Sequence, residues 1–390
     1  MRFPEFNGEW EKKRISEFCT LLKGTGISKD QLSTNGNPCI LYGELYTKYK
    51  AEIINEVLSC TELDANTLVK SKVNDVIIPC SGETAIDIAT ARYVPFDDVL
   101  LGGDLNILRS NKVNGSFLAY QLNGKRKYDI ARVAQGVSVV HLYGEHLKNI
   151  VISLPIIEEQ QKISRLLHLL DERIATQNKI IEKYESLIKG IVETHYSKCS
   201  DLQQVRIFEL GQPFSTMILS KEDLTEEGNE CILYGELFTT YGCVIKDIKS
   251  RTLVSEIKPT ISQSNDLLFP ASTTVDAMSL IAPSAICKAG VILGGDLFGI
   301  HVNESYNNEY LSYLINYIYK SKLARYAQGS TIIHLYYSDI KNATLLLPTI
   351  EEQNRLAHLM QSIDEKIDVE KDMLSKLYNQ KAYLLSNLFI

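Results

Sequence analysis

Leu154-Pro-Ile-Ile-Glu-Glu-Gln160 and Leu347-Pro-Thr-Ile-Glu-Glu-Gln353 are one phrase written twice, 193 positions apart, and each opens a heptad run. After the first, Ile163, Leu167, Leu170, Ile174, Gln177, Ile181, Tyr184, Ile188 and Ile191 alternate spacings of four and three. After the second, Leu356, Met360, Ile363, Ile367, Glu370, Leu374, Leu377, Lys381 and Leu384 repeat the pattern. Such spacing is the seam of a helix lying along another helix, and a polar residue at one seam position, here Gln177 and Glu370, fixes register. Pro155 and Pro348 end a strand and prime the helix. Glu158, Glu159, Glu351 and Glu352 suit its positive end, and Thr349 with Glu352 has capping-box spacing. A helix of about 34 residues spans roughly 50 Å, more than a globule needs, so each is expected to be a spacer. The competing reading is a pair of ordinary core helices.

Outward from these helices the rest of the chain is also duplicated. Cys39-Ile-Leu-Tyr-Gly-Glu-Leu-Tyr-Thr-Lys-Tyr49 returns from Cys231 to Tyr241, and Val99-Leu-Leu-Gly-Gly-Asp-Leu105 from Val291 to Leu297. Ala131-Arg-Val-Ala-Gln-Gly-Val-Ser-Val-Val-His-Leu-Tyr143 returns from Ala324 to Tyr336. A period this long exceeds solenoid repeats, so each copy is a domain with its own connecting helix. Between the shared blocks the copies diverge: Ile54–Ser71 has almost nothing in common with Lys246–Ile261. Short apolar runs such as Asp75-Val-Ile-Ile-Pro79 and Asp266-Leu-Leu-Phe-Pro270 read as strands, with helices expected over Ser116–Val133 and Glu309–Ala327. The fold class is α+β: two similar domains separated by two long helices. In a pseudo-two-fold molecule these helices pair as an antiparallel coiled coil with a globule near each end.

With 390 residues, 45% of them hydrophobic, the chain can fill two ordinary cores. Neither a signal pattern nor a long uncharged apolar run is present, so a cytoplasmic protein with no membrane partner is expected. The eight cysteines have no C-x-x-C spacing and read as reduced thiols, with no metal site. A net charge of −7 weighs mildly against nucleic acid, although a basic cleft can coexist with acidic faces.

Catalytic signatures are missing from the sequence. There is no Asn/Asp-Pro-Pro-Tyr motif, no G-x-G-x-x-G turn, no Walker lysine and no H-E-x-x-H. Gly102-Gly103-Asp104 and Gly294-Gly295-Asp296 read as turns between strands. His141 and His334 recur inside apolar runs with no repeated nucleophile or carboxylate partner, and read as structural.

Two variable domains, each followed by Leu-Pro-x-x-Glu-Glu-Gln and a heptad helix, with Tyr-Gly-Glu-Leu and Ala-Gln-Gly blocks, resemble the specificity subunit of Type I restriction-modification systems over essentially the whole chain. The resemblance implies target recognition domains at 1–154 and 199–347 and conserved helices at 155–198 and 348–390. It implies a non-catalytic subunit that reads a bipartite, asymmetric double-stranded DNA target. Its partners would be two methyltransferase subunits and, in the full complex, restriction/translocase subunits. No cofactor is expected on this chain; S-adenosylmethionine, ATP and magnesium would sit on the partners. A duplicated protein-interaction scaffold and a stand-alone nuclease are the alternatives. Binding that falls steeply with salt would argue against the first, and magnesium-dependent cleavage by the chain alone would support the second.

DNA reading needs forked donors and acceptors at base edges and cations at phosphates. Lys125, Arg126, Lys127 and Arg132, with Lys320, Lys322 and Arg325 in the second copy, are the expected phosphate contacts. Ser81–Thr84 and its counterpart Ser272-Thr273-Thr274 follow a strand and a proline and are the expected recognition loops, exposing Ser81, Thr84 and the Ser/Thr hydroxyls. Lys48, Lys50 and Arg251 are further candidates.

Overall fold

The computed structural model describes residues 2–136, 139–216, 219–254 and 259–389. Val137 and Ser138 of the first Ala-Gln-Gly block, and Ser255–Lys258 in the diverging stretch, lie outside them, as do Met1 and Ile390. The chain divides into two units, unit 1 comprising Met1–Lys179 with Asp372–Ile390 and unit 2 comprising Ile180–Lys371. Each unit is a globule carrying one segment of each long helix, Ile157–Lys198 and Ile350–Asn387. At 42 and 38 residues both helices exceed the expected length.

Unit 1 contains an antiparallel sheet in the order Thr20–Lys23, Leu105–Arg109, Asp75–Pro79, Arg92–Val94. A second sheet runs Leu32–Ser33, Ser59–Thr61, Asn37–Ile40, Leu100–Leu101, with Cys39 and Leu100 paired in parallel. Unit 2 repeats both. Its first sheet orders Gly211–Ser215, Leu297–Val302, Asp266–Pro270, Ser284–Ile286, and adds a parallel strand at Val244–Ile245. Its second orders Leu224–Thr225, Ser250–Thr252, Asn229–Leu233, Ile292–Gly294, with Cys231 and Ile292 again in parallel. In unit 1 the added strand is reduced to a bridge between Ile53 and Tyr93. Asp75–Pro79 and Asp266–Pro270 are buried at every residue, as central strands covered on both faces must be.

The helices expected after these strands are interrupted. Gly115–Asn123 stops at Gly124 before Lys127–Val133 begins, and position 124 must be glycine, since a Cβ there would stand 2.6 Å from the Leu385 carbonyl oxygen of the second long helix. In unit 2 the corresponding stretch, Asn308–Ala324, passes through a π-helical turn at Ile315–Tyr319.

Ile163, Leu167, Leu170 and Ile174 are buried in one cluster with Phe117 and Tyr120 of the globule, Leu377 and Leu384 of the second long helix and Phe389 just beyond it, with Leu374 packed against it. In unit 2 Ile181, Ile188, Leu356, Met360, Ile363 and Ile367 are likewise buried. The distinction between spacer and core helix therefore dissolves, since one stripe of side chains serves both. Within unit 2, Glu185 pairs with Lys371 at 3.8 Å and His195 with Glu352 at 2.7 Å. Numbers rise on one helix as they fall on the other, which makes the pairing antiparallel.

The repeated Leu-Pro-x-x-Glu-Glu-Gln phrase is the joint between globule and helix. Buried Gln160 accepts the Asn114 N–H at 3.0 Å and donates to the Pro155 carbonyl at 2.8 Å. Gln353 does the same with Asn307 at 3.0 Å and Pro348 at 2.9 Å. Asn114 and Asn307 in turn cap the next helix through the Phe117 and Tyr310 N–H groups. The second glutamate of each phrase takes a side-chain partner from 157 positions upstream, Arg2 for Glu159 and His195 for Glu352. The amino-terminal segment thus replaces, in unit 1, the last helical turn that serves unit 2. Thr349 caps the Glu352 N–H at 3.4 Å, but the Glu352 carboxylate turns to His195 and Arg355 rather than closing the box.

Candidate nucleic-acid interface

The remaining shared blocks also build the frame. Glu44 caps the Leu41 N–H at 2.9 Å and accepts from Ser59; Glu236 caps Leu233 at 2.8 Å and accepts from Ser250 at 2.7 Å. The tyrosines that end this block, Tyr49 and Tyr241, accept the Leu58 and Lys249 N–H groups at 3.3 and 3.0 Å. In the Ala-Gln-Gly blocks the backbones of Gln135 and His141 exchange hydrogen bonds of 2.9 and 2.7 Å, as do those of Gln328 and His334. Each exchange brings the two ends of its block together. Gly136 and Gly329 follow the glutamines at φ of 120° and 118°, where a Cβ would lie 2.1 Å from a carbonyl oxygen, so glycine is required. The histidines act through their backbones, consistent with a structural role, and their rings stack on Tyr143 and Tyr336.

These blocks pair with the expected recognition loops: His141 and Val140 with Ser81 and Gly82, His334 and Ile333 with Ser272 and Thr273. Two of the expected hydroxyls are nevertheless turned inward. Ser81 is buried and donates to Asp104 at 3.0 Å, and Ser272 is buried at the equivalent place. Thr84 caps the Asp87 N–H at 3.1 Å, and Asp276 caps Ser279 in its stead in unit 2. Thr84 and Thr274 are exposed, and beside them the loops differ: Glu83 is exposed in one, and Val275, 72% exposed, in the other.

In each unit a cleft opens at the same place in the repeated frame. Lys50, Thr90, Arg92, Asn123 and Lys127 line the first, of about 330 Å³. Gly242, Ala282, Ser284, Asn316 and Lys320 line the second, of about 1770 Å³. Charged side chains crowd one cleft, while small residues leave the other open as far as Thr273, Thr274, Val275 and Ile332. Burial, then the neighbouring Arg92, pushes the Lys127 ammonium below its usual range. Arg92 is itself buried and donates to the Leu45 and Tyr49 carbonyls at 3.0 and 2.9 Å. At the edge of the unit 1 cleft Lys381 meets Glu52 at 2.5 Å and Asp171 at 2.6 Å, and Asp171 also accepts from Tyr120 at 2.7 Å. Burial lowers the Lys381 ammonium, but the two carboxylates outweigh it and hold the group above its ordinary range.

The structure thus gathers Lys50 with Lys127, and Thr273 and Thr274 with Lys320. Lys125 and Arg325 are exposed elsewhere on their globules, as is Arg132, which lies 3.9 Å from Asp129. Other expected cations have local partners: Lys48 with Glu44 at 2.6 Å, Arg126 with Asp129 at 3.2 Å, Arg251 with the Gly228 carbonyl at 3.0 Å and Lys322 with the Thr344 carbonyl at 2.8 Å. Sequence reasoning passed over Arg92, Val275 and Ile332. An isolated apolar or basic residue carries no periodic signal, and the cleft exists only after folding.

Two copies of one frame, with repeated residues committed to joints and caps and divergent residues at the clefts and loops, define a duplicated recognition protein. The chain belongs to the Type I restriction modification DNA specificity domain family, whose model matches it twice, over residues 7–186 and 200–379. It is accordingly a specificity subunit of a Type I restriction-modification system, the non-catalytic component that recognises DNA. The Type I restriction enzyme MjaVIII specificity subunit of Methanocaldococcus jannaschii is 22% identical, covering 100% of this chain and 93% of that protein. The putative MjaX specificity subunit of the same organism is 24% identical over 74% of this chain and 71% of its own length. In fold, the chain is similar to the S subunit of a Type I restriction-modification system from M. genitalium (TM-score 0.63, 16% identity, 100% of this chain and 97% of that one). It is also similar to a chain solved in a study of complex assembly and conformational transition of the type I R-M system (TM-score 0.55, 16% identity, 98% and 97%). No helix among the described residues is long and apolar enough to cross a membrane.

Proposed function

We propose that each unit of this specificity subunit reads one half of an interrupted, asymmetric DNA target, and that the long helices set the gap. The supporting observation is the division between frame and cleft. Most residues common to both copies hold the fold, whereas the equivalent clefts, which share a lysine at Lys127 and Lys320, present Lys50 and Arg92 in one unit and Gly242 and Ser284 in the other. Different surfaces on one frame favour two different half-sites over a palindrome. Lys50, Lys125, Lys127, Arg132, Lys320 and Arg325 are assigned to phosphates, and Thr273 and Thr274 to base edges. The recognition domains are assigned to 1–154 and 199–347, with 155–198 and 348–390 as the connecting helices. Two methyltransferase subunits would dock on the helices, with restriction/translocase subunits joining the full complex in the cytoplasm. S-adenosylmethionine, ATP and magnesium would reside on those partners.

The test is to exchange residues 1–154 for the corresponding domain of a relative and to sequence methylated sites in a host carrying the complete system. One half of the target should change while the other half and the gap persist. Simultaneous change of both halves refutes the assignment.

A further inference from the structure

Because the chain is a duplication, the globule of unit 1 has two similar helix ends available to it: 374–388, the end of the second long helix and the residue after it, which it binds, and the matching 181–195 of the first. We propose that a buried charge site on unit 1, made by Glu52 and Asp171, selects the former by recognising Lys381, and so excludes the first-helix end, whether of the same chain or of a second copy.

Lys381, Glu52 and Asp171 are all nearly inaccessible, with side-chain exposures of 12%, 7% and 5%. An ammonium at 2.5–2.6 Å from two carboxylates in such a place is held by geometry, not by solvent screening. In the repeat, Asp171 and Tyr120 correspond to Asp364 and Tyr313, which make the same hydroxyl-to-carboxylate bond. The other members change together. Glu52, whose carbonyl accepts the Tyr93 N–H at 2.8 Å, corresponds to Cys243, whose carbonyl accepts the Ala285 N–H at 2.8 Å. Lys381 corresponds to Ile188, and Ile188 is buried in unit 2. Where the globule offers a carboxylate the visiting helix brings a lysine, and where it offers a thiol the helix brings an isoleucine.

The exchange fails in both directions. An isoleucine-bearing end in unit 1 would leave Glu52 and Asp171 buried with no hydrogen-bonded cation from the helix; the buried Arg92 lends them positive charge from nearby but directs its N–H groups to the Leu45 and Tyr49 carbonyls. A lysine-bearing end in unit 2 would meet a thiol beside Asp364, where Lys246 already supplies a favourable positive charge. Charge pairing of this kind distinguishes partners of nearly identical shape because the wrong pairing leaves ions unmatched, not merely less well packed.

The test uses the full chain. Lys381→Met keeps the side-chain length and removes the charge; amide exchange over 374–388 should accelerate on the order of a hundredfold, as expected for a buried ion pair broken on one side. Combining Glu52→Gln and Asp171→Asn with Lys381→Met should restore most of the protection. The triple variant should also form a larger share of dimers than the parent in light scattering, because its unit 1 no longer discriminates between helix ends. Parental exchange in the single variant, failure of rescue, or a triple variant with the parental dimer share each overturns the proposal.

Discussion

Replacing Gln353 by alanine tests whether the repeated Leu-Pro-x-x-Glu-Glu-Gln phrase is a mechanical joint. Its amide makes two hydrogen bonds, from the Asn307 N–H at 3.0 Å and to the Pro348 carbonyl at 2.9 Å, and the residue is 1% exposed. Water cannot replace a partner so enclosed. Each lost bond is worth about 1–1.5 kcal/mol, and the orphaned Asn307 N–H adds a desolvation cost of about 1 kcal/mol or more. The expected loss for unit 2 is about 3 kcal/mol, a factor of roughly 150 in its folding equilibrium. Urea unfolding measures the total, and amide exchange at Asn307 places it. Gln160→Ala should act alike in unit 1, at Asn114, since Gln160 makes the equivalent pair of bonds. Gln353→Met separates hydrogen bonding from packing, because it preserves volume while removing both bonds. A loss below about 0.5 kcal/mol for the methionine variant would refute the hydrogen-bond account and leave the glutamine as filler.

Gly136→Ala and Gly329→Ala should each open one Ala-Gln-Gly block, because the added Cβ meets a carbonyl oxygen 2.1 Å away; the expected readout is weakened discrimination at one half-site in methylated-site sequencing, with the other half intact. Lys320→Ala should weaken DNA binding across sequences and reduce the slope of log affinity against log salt by about one, measured by fluorescence anisotropy. Arg355, then His195, holds the Glu352 carboxyl down at about 2. A depressed carboxylate contributes stability that is present above the unfolded value and lost as pH falls through the folded one. Glu352→Gln should therefore be destabilising at pH 7, and the difference from the parent should close as pH falls from about 4.5 to about 2 in a series of thermal melts.

The duplication, the α+β class, the two long helices and the absence of catalytic motifs were legible without coordinates. Periodicity and self-similarity are properties of residue order, and heptad spacing puts Ile163, Leu167, Leu170 and Ile174 on one helix face in any context. Tertiary structure decided which groups face water and which face one another. Ser81 and Thr84 look alike in sequence to Thr273 and Thr274, yet Ser81 is buried against Asp104 and the Thr84 hydroxyl, though exposed, caps a helix. Gly124 reads as an ordinary helix interruption until Leu385, from the far end of the chain, is seen to pass against it. Lys381 reads as a break in a heptad seam, and only folding brings Glu52 and Asp171 to it from distant segments. Local pattern dictates local geometry because it acts between neighbours, whereas the worth of a charge or hydroxyl depends on burial and partners that the completed packing alone assigns.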